Sequence, residues 1–123
     1  MTQENKELLL KDLCARLPYE VKVQYEDDIF TIDHISGMYE EIKLNTPNIY
    51  TIDILEVKPY LFPMSSMTEE QSKIYHELIG GMFGTSTIIN FEVLEDFFHK
   101  NHLDNRGLIG KGLAIDATNL DIY

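Results

Sequence analysis

The sequence predicts an α+β protein, a small antiparallel sheet of three to four strands in a meander packed with about three helices. Three observations lead there. Apolar residues fall at helical spacing over the first seventeen positions, the period shortens to two between residues 21 and 54, and helix-start signals follow near residues 68 and 90.

Residues 3 to 16 read as a helix. Leu10, Leu13, Cys14 and Leu17 stand at i, i+3, i+4 and i+7 and predict one apolar face, and Pro18 ends the run. On that face Cys14 reads as a small buried hydrophobe, because no neighbouring group favours a thiolate. VKVQY (21 to 25) then alternates, with Val21, Val23 and Tyr25 on one side. EDD makes a turn, IFTIDHI (29 to 35) a second strand, Ser36-Gly37 a turn and MYEEIKL (38 to 44) a third strand. NTPN turns again before IYTIDI (49 to 54), the fourth.

EVKPYLFPM (56 to 64) holds two prolines, so it is expected to be a linker packed through Tyr60, Leu61 and Phe62, not a central strand. In SSMTEEQ, Thr68 is the expected N-cap, Gln71 completes a capping box, and Glu69 and Glu70 sit in the first turn. This helix should run to about Ile79 and stop at Gly80-Gly81. Residues 80 to 88 read as a loop, and Asn90 as the cap of a third helix from Phe91 to about Asn101. GLAIDATNLDIY carries no periodic signal. With no internal repeat and no linker between halves, residues 1 to 123 are expected to form a single domain.

Composition narrows the function. The hydrophobic fraction is 44% and the charged fraction 25%, ordinary for a folded globular chain. No apolar run reaches the ~18 residues of a membrane helix, and the acidic N-terminal stretch has no signal-peptide core. The single cysteine cannot form an internal disulfide, so a cytoplasmic setting is expected. The net charge of −11 is spread along the chain: 12 acids against 6 bases up to residue 60, and 9 against 4 beyond it. Such a surface repels phosphate backbones, which disfavours direct nucleic-acid binding. It serves solubility, or it engages a basic surface on a protein partner.

The stretch FEVLEDFFHKNHLDNRGLIGKG (91 to 112) concentrates the polar chemistry. On a helical wheel Phe91, Val93, Leu94, Phe97 and Phe98 share one side, and Glu92, Glu95, Asp96, His99 and Lys100 the other, so Phe98 is expected inside and His99 in water. Glu95, His99, His102 and Asp104 have a spacing that permits metal binding but match no zinc signature, and no metal or cofactor is expected. Arg106 reads as a tie to loop carbonyls or a carboxylate. The alternative is a small hydrolase or metal-dependent enzyme using His99, His102, Asp104 and Arg106. His34 and His76 are isolated. GMFG (81 to 84) and GLIG (107 to 110) fit the GxxG loop of KH domains, but the acidic chain opposes a nucleic-acid clamp, and phosphate-binding glycine motifs are absent.

Three segments taken together, LLLKDLCARLPYEVKV, VKPYLFPMSSMTEEQ and NHLDNRGLIGKGLAIDA, resemble a group of small proteins encoded by Bacteroides-type gut bacteria, their prophages and mobile elements, and their phages. That group has aromatics where this chain has Leu103 and Asn105, which counts against an aromatic recognition surface there. The resemblance implies a cytoplasmic setting and a phage or mobile-element origin, and no assigned activity. The expectation is a non-enzymatic acidic binding protein that modulates a host or defence protein by occupying a basic nucleic-acid-binding surface. A homo-oligomeric structural role is a third reading.

Overall fold

The computed structural model describes residues 2–38, 40–47, 51–80 and 91–123. In chain order these form α1 (Gln3–Arg16), β1 (Lys22–Tyr25), β2 (Asp28–Ser36), β3 (Glu41–Leu44), β4 (Thr51–Asp53), β5 (Lys58–Leu61), α2 (Glu69–Gly80), α3 (Phe91–Lys100) and β6 (Ile115–Asp116). The class is α+β, as expected. The sheet is larger than the meander of three to four strands. It has six, in the order β4-β3-β2-β1-β5-β6, antiparallel except for the β5–β6 pair. A parallel pair needs a long crossover, and α2 and α3 lie within it.

The two extra strands are those with the weakest sequence signals. β5 contains Pro59, yet it lies between β1 and β6. It is tolerated because β6 runs beside Tyr60 and Leu61 only, so Pro59 has a strand partner on one side, Val23 of β1. β6 is two residues long and draws its register from its neighbour.

β1 and β2 form a hairpin closed by Glu26 and Asp27, because Tyr25 pairs with Asp28. Both loop residues have positive φ, 54° and 91°, as a type I′ turn requires. Neither is glycine, so the turn is strained. Asp27→Gly should therefore raise stability by about 0.5–1 kcal/mol, read as a higher urea midpoint. Further along β2 the register with β3 shifts between Ile32 and His34. This irregularity leaves Asp33 and His34 both exposed.

The inward face of α1 is turned by one residue, about 100°, from the expected one. The buried positions are Leu9, Asp12, Leu13 and Arg16. Cys14 is exposed, not a core residue. Leu9 and Leu13 pack on Val21, Val23, Ile42, Leu44, Ile52 and Ile54 of the sheet side and on Leu108, Leu113 and Ala114 of the final segment. A second, smaller core joins Phe97, Phe98 and Leu103 to Phe62, Met64, Met67, Tyr75, Leu78 and Leu94. No helix among the described residues is long and apolar enough to cross a membrane.

Tyr123 closes the sheet. Beyond Val23↔Pro59 the next antiparallel position pairs Lys22 with Tyr60, and there the Tyr123 hydroxyl stands in for the ladder. It accepts from the Lys22 N–H at 2.8 Å and donates to the Tyr60 carbonyl at 2.8 Å. Tyr123→Phe should cost about 1 kcal/mol by chemical denaturation, the net value of a typical hydrogen bond.

Candidate functional site

Both arginines of the chain converge on the carboxylate of Asp12. Arg16, one helical turn on, donates Nε–H to Oδ2 at 2.8 Å, and Arg106 donates from Nη1 to Oδ1 at 2.9 Å. Asp12 and Arg16 are fully buried. Arg16 also reaches the Leu103 carbonyl at 2.6 Å and Asn105 Oδ1 at 3.0 Å through Nη2. These bonds tie α1 to the segment that follows α3. The expectation that Arg106 binds a carboxylate holds, and the carboxylate lies 94 residues away.

His99 is buried, at 4% exposure, and does not lie in water as expected. Its Nε2 stands 3.4 Å from Arg106 Nη1. Arginine has only donors, so Nε2 must accept and the ring is neutral with its proton on Nδ1. Burial first, then the Arg16 and Arg106 charges, push its pKa down. The His99 side chain fills space between α3 and the two arginines, so His99→Ala should cost about 1–3 kcal/mol, not the ±0.5 kcal/mol of a surface change. Equilibrium urea unfolding measures this directly.

Asp104 is a loop cap. Its Oδ1 accepts from the Leu108 N–H at 2.8 Å and its Oδ2 from the Ile109 N–H at 2.9 Å. GLIG thus wraps the carboxylate, with Gly107 at φ +72° and Leu108 fully buried. It is a folded loop whose neighbouring arginine points inward, an arrangement unlike a nucleic-acid clamp. GMFG lies outside the described residues, as do the 80 to 88 loop beyond Gly80 and the Asn90 cap.

His102 ends α3. Its φ is +56°, its N–H bonds the His99 carbonyl at 3.1 Å, and the Leu103 N–H bonds the Phe98 carbonyl at 2.8 Å. This is a Schellman motif with His102 at the left-handed position usually held by glycine, and with Leu103 and Phe98 in the accompanying apolar contact. The His102 ring stacks on Tyr123 at 3.7 Å and 16°. Its Nδ1 and Arg16 Nη1 are buried with no hydrogen-bond partner among the described residues. Burial, then the Arg16 and Lys22 charges, push its pKa down to about 4.

A pH dependence follows. The folded values of both imidazoles lie below the unfolded value of about 6.5, so the unfolded chain binds more protons in between. Their contribution is complete above pH 6.5 and is lost as pH falls toward 4. The urea midpoint should drop between pH 7 and pH 5. His102→Asn keeps a side chain tolerated at positive φ and should flatten that slope. A wild-type midpoint unchanged from pH 7 to 5 would contradict the desolvated, neutral assignment of both rings.

The four metal candidates are not brought together. Asp104 is occupied by backbone amides, His99 by Arg106 and His102 by Tyr123, and Glu95 is exposed on α3. Among the described residues no group of three or more His, Cys, Asp or Glu side chains is placed to hold a metal ion. His34 and His76 are both exposed and lie apart from this cluster in the chain. Partial burial raises the Cys14 pKa, so the thiol stays protonated at neutral pH.

A cleft of about 500 Å³ lies between α2 and α3. The Thr68–Gln71 capping box that starts α2 is present as expected, with reciprocal bonds of 3.0 and 3.1 Å. Gln71 also bonds Asn101 at 3.2 Å, which sets the start of α2 beside the end of α3. Ile74, Leu78, Val93 and Phe97 line the cleft together with Glu70, Asp96 and Lys100. Ile74 is 40% and Val93 44% exposed. The two helices carry six acids against two lysines.

Comparison with protein-family models, with curated protein sequences and with solved structures finds no match.

Proposed function

We propose that this chain is a non-enzymatic, acidic binding protein of phage or mobile-element origin. It recognises a basic surface on a host or defence protein and covers a site that otherwise holds nucleic acid. The observation that carries this reading is the charge pattern of α2 and α3, which carry six acids against two lysines and form an apolar cleft lined by two of those acids, Glu70 and Asp96. Interfaces commonly combine an apolar centre with a polar rim, and opposite charge speeds encounter and selects partners. The polar cluster around Asp12 supports the same reading by a different route. Its groups bond one another inside the protein, and Asp12 and Arg16 have no exposed surface on which a substrate can rest. The alternative, a small hydrolase or metal-dependent enzyme built on His99, His102, Asp104 and Arg106, would draw on side chains already engaged within the fold: Asp104 with the Leu108 and Ile109 amides, Arg106 with Asp12 and His99, and His102 with Tyr123.

The test is capture from host lysate on immobilised protein at low salt. A stoichiometric partner should be retained and then released as ionic strength rises through the physiological range, since exposed charge pairs are screened there. Recovery of no stoichiometric partner at low salt would count against the reading, and retention indifferent to salt would remove its electrostatic part.

A further inference from the structure

We infer that the cleft between α2 and α3 is the docking groove of this protein and that its occupant is a basic amphipathic helix of the partner. The inference rests on the acidic-binder reading and narrows it to one surface and one kind of ligand.

Two features argue for the groove. It is lined by apolar side chains, and two of these, Ile74 and Val93, remain substantially exposed among the described residues. Exposed apolar residues that line one concavity mark a site for another molecule more strongly than scattered ones do. Its walls are acidic. Glu70 and Asp96 line it against Lys100, and Glu69, Glu77, Glu92 and Glu95 are exposed along the same helices against Lys73. An apolar ligand with cationic flanks complements both features at once.

The form of the ligand follows from the walls. Both are α-helices, whose backbone amides and carbonyls are already bonded within each helix, so the groove offers no strand edge. An extended peptide would bring unpaired backbone groups into an apolar cleft, which is costly. A helix satisfies its own backbone and presents only side chains, with anchors at i, i+3, i+4 and i+7. The 12 residues of α2 span about 18 Å, so the matching ligand has roughly three turns. Lysine or arginine on its flanks would meet the wall carboxylates, and leucine-sized anchors would meet Ile74, Leu78, Val93 and Phe97.

The test uses the full chain and two synthetic peptides of about 16 residues. One carries leucine at i, i+3, i+4 and i+7 with lysine elsewhere, and the other is a scramble of equal composition and charge. Fluorescence anisotropy at low salt should show the amphipathic peptide binding at least about tenfold more tightly than the scramble, a difference of about 1.4 kcal/mol. Ile74→Asp combined with Val93→Asp should weaken it about tenfold or more. Both positions are exposed, so the fold should tolerate the change, and an unaltered circular-dichroism melt checks that. Glu77→Lys with Glu95→Lys should reduce the dependence on salt. Amide shift changes should centre on residues 70–78 and 93–101. Equal binding of both peptides, untouched by the cleft substitutions, overturns the groove but leaves the wider acidic reading standing. Binding of neither peptide by the wild-type protein overturns the groove, and the lysate capture then judges the wider reading by itself.

Discussion

Asp12→Ala should destabilise the protein by about 3–5 kcal/mol, the range for removing one partner of a buried ion pair. Asp12 and Arg16 have no solvent exposure, and the Arg106 side chain is 14% exposed. Without the carboxylate, two guanidinium groups face each other across a space closed to water. Arg106 can turn outward, but Arg16 is held by the Leu103 carbonyl and Asn105 and cannot follow. Stabilities of domains this size are about 5–15 kcal/mol, so the loss is a large share of the total. The compensating variant, Asp12→Leu with Arg16→Met, removes the charge pair as a unit and should regain most of the loss, because apolar replacements of buried pairs are often neutral. Urea unfolding of the wild type, both single variants and the double variant yields the coupling. If Asp12→Ala left the midpoint where it was, the convergence of the two arginines would be energetically idle.

Phe98→Ala should cost about 3–5 kcal/mol, the usual loss for a buried aromatic. Phe98 is 8% exposed, and its ring lies 5.9 Å from those of Tyr75 and Phe97. It also contacts Leu103 across the end of α3, so its removal loosens the helix stop as well as the smaller core. That core contains few side chains, which leaves few neighbours to close the gap. Val93→Ala is the control in the same helix, and at 44% exposure it should shift stability by no more than about 0.5 kcal/mol. Equal losses at the two positions would mean that the helix is rotated from its described face.

Local rules made much of the fold legible. Thr68 and Gln71 specify a helix start through two side-chain bonds within four residues, and the EDD run between two alternating segments marks the β1–β2 turn. Phe97 and Phe98 were expected inside on helical phase alone and are buried. The parts that escaped depend on distant residues. The face of α1 was misread because two of its four inward positions are charged. Asp12 and Arg16 are stable there only because Leu103, Asn105 and Arg106 complete their bonds. One signal was present: Leu9, Asp12, Leu13 and Arg16 have the same i, i+3, i+4, i+7 spacing as the face that was preferred, with an acid and an arginine correctly spaced to pair. The helical wheel puts His99 in water beside Glu92, Glu95, Asp96 and Lys100, and its burial depends on Arg106 arriving from the following loop. Pro59 suppressed the reading of β5, since one strand cannot reveal how short its neighbour is. Of the proposed site, the apolar positions of α2 and α3 were visible, but the cleft they form was not.

The arginine-to-carboxylate contact spans 94 positions, and the tyrosine hydroxyl reaches back 101. Translation proceeds at roughly 5–20 residues per second, so Asp12 and Arg16 emerge from the ribosome several seconds before their partners are made. During that interval the nascent α1 has no finished core to enter, and its ion pair stays hydrated at little cost. Closure of this fold therefore waits until the segment from Leu103 to Tyr123 has been made, and it falls in the slow regime of long-range contacts.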